Sequence, residues 1–175
     1  MATLQTHSGQ GKFEIYVDPV EFKSLLAVLR SLDKETSQKV RDGAMPLSQR
    51  LSGQLFQFAM AAPAPQTKLV AQSITPKRDR MIRVDVGGSK KVGRPYRDRQ
   101  TKKQVKAPAG ALLWGTEYGS RPGIDSIGRA FTSRYKVGRN RSGYWLNPAV
   151  DYYAPVVARE YAQMLQDVIK SNKVD

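Results

Sequence analysis

The sequence has no cysteine. That excludes a disulfide-stapled scaffold, thiolate metal sites and cysteine nucleophiles. It has one histidine, His7, in a polar N-terminal stretch. Histidine-based triads and His-cluster metal centres are therefore excluded as the basis of function. No apolar run approaches the roughly 18 residues that a membrane-spanning helix needs. Met1–Gln10 lacks the hydrophobic core of a signal peptide. Acidic residues are scarce where basic ones are dense. Between Lys77 and Gly143 stand 18 basic and five acidic residues, a net +13 in a chain whose total is +14. A local charge of this size asks for a local partner.

The chain has 175 residues, 40% of them hydrophobic. That is enough for one domain with a real core. Lys12–Val17 alternates, with Phe13, Ile15 and Val17 on one face, and predicts a strand. Asp18, Pro19 and Glu21 have the spacing of a helix start, and the apolar period continues to Leu32. Asp33 opens a second helix. Its stripe is Val40, Ala44, Leu47, Leu51, Leu55, Phe58 and Ala59. Pro46 predicts a kink or break within it, and Pro63-Ala-Pro65 its end.

Lys68–Thr75 and Met81–Val86 read as a strand hairpin, and Ala109–Trp114 as a further strand. Asp125–Phe131 fits a short helical turn. Asn147-Pro148 reads as the cap and first turn of a last helix. Its apolar positions are Val157, Tyr161, Met164, Leu165, Val168 and Ile169, and Pro155 predicts a kink or restart. This order specifies an α+β fold. A small, mostly antiparallel sheet packs against N-terminal helices and a C-terminal helix. Residues 1–175 form a single domain with a loose tail at 1–11 and two long basic loops at 89–108 and 119–143.

Catalytic constellations are missing. Gly87-Gly88 and Gly110 do not form a phosphate-binding fingerprint. Glu117, beside Trp114 and Tyr118, is the one acid in an apolar context. A lone glutamate at the end of an expected strand is far more often structural or interfacial than catalytic. No cofactor or metal is expected. The basic loops carry Lys90, Lys91, Arg94, Arg97, Arg99, Lys102 and Lys103, then Arg129, Arg134, Lys136, Arg139 and Arg141. Across Lys77–Gly143, 11 arginines outnumber seven lysines. Arginine pairs bidentately with phosphates and carboxylates, so the ratio favours a polyanion or an acidic protein face over a merely solvated surface. No helix-turn-helix, zinc-finger or RNA-recognition signature accompanies the charge, so sequence-specific readout is not expected. Trp114, Thr116, Glu117, Tyr118 and Trp145 border the loops and are candidates for a subunit interface.

Five short motifs fall in a recognisable order. They are Ala61-Ala-Pro63, Thr67-Lys-Leu-Val-Ala-Gln-Ser-Ile74, Val84-Asp-Val-Gly87, Leu112-Leu-Trp-Gly-Thr116 and Gly143-Tyr-Trp-Leu-Asn-Pro-Ala149. Over roughly residues 20–171 this layout resembles the tail-completion, or neck, proteins of long-tailed bacteriophages. Lys68 stands where that family has glycine, and Leu113 where it has an acid before the aromatic-Gly-Thr step. The resemblance implies a structural virion protein, made in the host cytoplasm, that forms a ring at the head–tail junction. Six copies are favoured and twelve are the alternative. Its neighbours would be a head-closure or connector protein and a tail terminator or tube protein. Double-stranded DNA would pass through the lumen without sequence-specific contact and without a membrane. The alternative reading is a free, non-specific nucleic-acid-binding protein of ribosomal or nucleoid type.

Overall fold

The sheet is built on β2, Lys12–Val17, whose Phe13 and Ile15 are buried. The computed structural model describes residues 2–7, 11–17, 33–98, 101–119 and 138–171, with the backbone alone for 2–7, 16 and 17. On one side β2 pairs antiparallel with β1, Ala2–His7. Residues 2–7 are thus an edge strand rather than part of a loose tail. Core packing fixes β2, and its open edge offers backbone groups that the preceding chain satisfies. On its other side β2 pairs antiparallel with β4, Arg83–Gly87, which also pairs with β3, Thr75–Lys77. The four-stranded order is β1-β2-β4-β3. Phe13 lies opposite Val86 and Ile15 opposite Val84, so one face is apolar.

That apolar face shares one core with the helices. The first described helix, α1, runs Lys34–Ala61, and its N-cap Asp33 accepts from the Thr36 backbone N–H at 2.7 Å. The Thr36 N–H bond holds the Asp33 carboxyl below its ordinary range. Val40, Ala44, Ser48, Leu51, Leu55 and Ala59 form the buried stripe. The helix does not break at Pro46, whose ring lies on the exposed side. It ends just before Pro63, as expected. The last helix, α4, spans Leu146–Ser171 without a break at Pro155. Arg50 pairs with Glu160, and Phe58 meets Tyr153 edge-on at 5.9 Å, so α1 and α4 lie antiparallel. Tyr161 is buried and donates its hydroxyl to the Arg80 carbonyl. Burial, and then the Asp79 charge, raise its pKa.

The α+β class holds, but three segments differ from their sequence pattern. Thr67–Ala71, expected as strand, is a short helix, α2, that buries Thr67, Val70 and Ala71. Of the expected strand Lys68–Thr75, only Thr75 joins the sheet, as the first residue of β3. Ala109–Trp114, also expected as strand, begins α3, Ala109–Tyr118. Seven of its ten residues are buried, and a helix buried almost all round has no polar face to betray its period. The first basic loop is a second antiparallel sheet, β5, Lys91–Arg97, with β6, Gln104–Pro108. The expected helix at 18–32 and the turn at 125–131 lie outside the described residues.

Candidate polyanion-binding surface

The basic stretch divides into two electrostatic classes. In the first class the charge is answered inside the fold. On the polar face of the four-stranded sheet Glu14 lies opposite Asp85. Their exposures are only 8% and 7%. Two facing carboxylates repel one another, and cations surround them. Arg83 reaches Glu14 at 2.9 Å and Asp85 at 3.0 Å. Lys12 reaches Glu14 at 2.6 Å and Asp85 at 2.9 Å. Its hydrogen bond to Asp85, and then that to Glu14, raise the Lys12 pKa. Lys77 adds a longer approach to Asp85 at 3.8 Å. Arg78 grips Asp42 of α1 through Nε at 2.9 Å and Nη2 at 2.6 Å. Lys12 and Arg83 are thus committed to buried carboxylates, whereas the pairs of Lys77 and Arg78 lie at the surface.

The second class is the β5–β6 ribbon. Its root is fixed, because Val92 and Ala107 are buried and lie opposite each other. The Ala109 N–H donates to the Lys90 carbonyl at 2.8 Å. Beyond the root, Tyr96 pairs with Val105 and Arg97 with Gln104. Between Val92 and Tyr96 the register shifts, with Gly93 at φ +73° and Pro95 on the strand. Asp98 builds the turn. Its carboxylate accepts from the Thr101 N–H at 2.7 Å and the Thr101 hydroxyl at 3.0 Å. The Asp98 N–H donates to the Lys103 carbonyl at 2.9 Å. Sequence reasoning missed Asp98, although an aspartate two to three residues ahead of a threonine is a recognisable turn signal.

Paired residues of a ribbon share a face, and successive residues alternate. Val92, Ala107, Tyr96 and Val105 therefore form one face, while Lys91, Lys106, Arg97 and Gln104 form the other. Lys91, Arg94, Lys102, Lys103 and Lys106 are exposed. Among the described residues none of these five has a carboxylate within ion-pair distance. Lys90, also exposed, spends its ammonium on the Gln72 carbonyl.

The second basic segment is clasped at its base by Glu117. This side chain is completely buried on α3. Its Oε2 accepts from the backbone N–H groups of Trp145 at 3.2 Å and Leu146 at 2.8 Å, and its Oε1 from that of Asn147 at 2.9 Å. It thus closes the N-terminus of α4, where backbone donors have no helical partner and the dipole favours an anion. Asn147 is one of the residues capped, not the cap. Burial raises the Glu117 pKa, against the opposing pull of the Asn147, Leu146 and Trp145 N–H groups. The Tyr144 N–H donates to the Glu117 carbonyl at 2.8 Å, and the Asn140 N–H to the Tyr118 carbonyl at 3.1 Å. The C-terminal end of the segment is therefore tied to the last turn of α3, the helix that its N-terminal end follows. A glutamate 29 residues ahead of a helix leaves no local signal of such a role. Both carboxylate oxygens accept backbone N–H groups, so the side chain serves as a cap.

Of the candidate residues, Arg97, Lys102 and Lys103 come together at the ribbon end, with Arg94 beside them on β5 and Lys91 nearer the root. Arg139 and Arg141 are exposed beside the Glu117 clasp. Arg99, Arg129, Arg134 and Lys136 lie outside the described residues. The interface candidates split. Trp145 and Thr116 are fully buried, and the Thr116 hydroxyl donates to the Leu113 carbonyl at 2.8 Å. With Glu117 they are core residues, unable to meet a neighbour directly. Trp114 is 50% exposed, stacked on Tyr118 at 5.4 Å and tilted against Phe13 at 5.0 Å. Among the described residues there is no cluster of three metal-ligating side chains, and no helix is long and apolar enough to cross a membrane. No family model, no curated protein and no solved structure matches this chain.

Proposed function

We propose that this chain is a structural virion protein that forms a ring at the head–tail junction of a long-tailed bacteriophage. In that role it joins a head-closure or connector protein to a tail terminator or tube protein and surrounds the DNA channel. It acts without a cofactor and without catalysis. The observation that carries the reading is the division of charge. The buried carboxylates of the body, Glu14 and Asp85, are answered by its own Lys12 and Arg83, while a row of exposed cations without a carboxylate partner among the described residues stands on the β5–β6 ribbon. A ring subunit needs a self-sufficient body and outward elements for its neighbours and its cargo.

The order of the five motifs, from Ala61-Ala-Pro63 to Gly143-Tyr-Trp-Leu-Asn-Pro-Ala149, supports the same reading. Repetition of one heterologous contact would close the ring, with six copies favoured over twelve. Trp114 is an exposed aromatic available to such a contact, as are Phe56 and Tyr152 among the described residues.

The test is a labelled image. A small tag appended to the chain, visualised on purified native particles, is expected at the junction of head and tail. A label elsewhere, or a tailed particle without the chain, overturns the reading. The exposed cations of the ribbon also favour a second reading, a free non-specific nucleic-acid-binding protein. That reading requires the isolated subunit to bind duplex at micromolar concentration or tighter near physiological salt. The ring subunit is expected to bind more weakly, since few phosphates are contacted by one copy.

A further inference from the structure

We propose that the β5–β6 ribbon is the element that contacts nucleic acid, and that its ligand is the sugar–phosphate backbone of a duplex. In placing that duplex in a channel the inference rests on the ring reading. The chemistry of the ribbon stands on its own.

A two-stranded ribbon is marginally stable in water by itself. This one is packed at its root through Val92 and Ala107 and farther out through Tyr96, while Arg94, Lys102, Lys103, Gln104 and Lys106 are exposed. Its edge is not suited to pairing with another strand. Pro95 offers no N–H, and lysines at an edge discourage strand addition. Its value lies in its side chains.

Three classes of polyanion compete for them. An acidic protein partner would need an apolar anchor at the centre of the contact. The basic face has none, since Tyr96 and Val105 lie on the other face and are half-buried. Single-stranded nucleic acid would need aromatic platforms for its bases. The basic face has no aromatic side chain either. A duplex needs neither, because its backbone is held by charge alone. The dimensions agree. Seven residues of β5 extend about 20 Å at ~3.3 Å each, and a two-stranded ribbon enters a major groove about 12 Å wide. Lys106 and Arg97 follow one another along one face, with Lys102 and Lys103 at the turn. The cations thus run along the face and gather at its turn, an arrangement that can follow a repeating phosphate backbone.

The experiment uses the full chain and a random-sequence duplex of about 30 base pairs, read by fluorescence anisotropy from about 20 to about 200 mM salt. Replacing Arg94, Lys103 and Lys106 by Gln is expected to lower affinity at least tenfold at low salt. The slope of log K against log salt should fall by about 2–3, near 0.9 per lost phosphate contact. Replacing Lys34, Arg159 and Lys170 by Gln removes the same charge from α1 and α4 and should change the slope by less than about one. Equal effects of the two variants overturn the proposal. So does tighter binding of the matching single strand, which would indicate stacking, or displacement of duplex by polyglutamate at concentrations below those of simple salt, which would indicate an acidic protein. This result and the labelled particle fail independently. A chain absent from particles leaves the ribbon effect intact, and an inert ribbon leaves the ring reading intact.

Discussion

Glu117 does at the scale of one residue what a capping segment usually does. Three N–H groups, two of them buried, depend on two oxygens. In Glu117→Gln the amide N–H₂ faces donors and at least one of them loses its acceptor. The expected loss is about 1–3 kcal/mol of unfolding free energy, read by urea denaturation. The pH dependence has a definite sign. Burial raises the carboxyl pKa in the folded state, so the folded protein holds the proton more tightly than the unfolded chain. The stabilisation linked to this proton is absent above the folded-state value and grows as pH falls through it. The wild-type advantage over Glu117→Gln should therefore widen between about pH 7 and about pH 4, where carboxyls titrate. An advantage that narrows would mean that the N–H bonds outweigh burial. Gly143 tests the same clasp from the other side. It lies at φ +84°, and a Cβ there would overlap Glu117 Oε1. Gly88 has a similar φ of +74° but only the Lys12 side chain at 3.8 Å. Both alanine variants carry left-handed strain, yet Gly143→Ala should cost about 1–3 kcal/mol more than Gly88→Ala, because it alone overpacks a buried group.

At the scale of elements, α1 tolerates a proline that its sequence says should disrupt it. The packed stripe from Val40 to Ala59 holds the helix through Pro46, and tertiary burial outweighs local propensity. Pro46 is exposed, so Pro46→Ala removes the helix penalty without opening a cavity. Some of the gain is lost to a freer unfolded chain. A net rise of about 1–2 kcal/mol in stability is expected, read as a higher urea midpoint. An unchanged or lower midpoint would show that the proline is accommodated without strain. The same balance explains which elements the sequence discloses. α1 and α4 are amphipathic, each with one wet face, so their period is visible. α3 has almost no wet face, and Ala109–Trp114 looks like any short apolar strand. The ribbon is hidden by its own composition, since Gly93, Pro95 and the lysines speak for a loop. Its strands are set by the Val92–Ala107 and Tyr96–Val105 pairs, contacts that no local pattern announces. For the same reason the site was only half legible. The sequence locates the positive charge, but which cations are answered depends on pairings as distant as Arg83 with Glu14, 69 residues away.

At the scale of the whole molecule, a net charge of +14 on 175 residues works against compactness. Two electrostatic contributions oppose each other here. Repulsion among exposed cations of the ribbon, and with Arg139 and Arg141, acts through solvent and is screened within about 8–10 Å at moderate salt. The attractions among Lys12, Glu14, Arg83 and Asp85 are sheltered, with both carboxylates nearly inaccessible, and salt weakens such pairs less. Raising salt from about 20 to about 200 mM should therefore relieve more repulsion than attraction. The expected outcome is an increase in Tm, measured by differential scanning fluorimetry on the isolated chain. A bound polyanion should do the same more strongly, because it stabilises the folded state in proportion to its occupancy. In the variant with Arg94, Lys103 and Lys106 replaced by Gln, the salt effect should shrink, as the repelling charges are gone while the sheltered pairs remain. A Tm that falls with salt in the wild type would place the dominant electrostatic contribution in the sheet's ion pairs instead. The ribbon's cations would then be too far apart to strain the monomer, and the need for a partner would rest on their exposure alone.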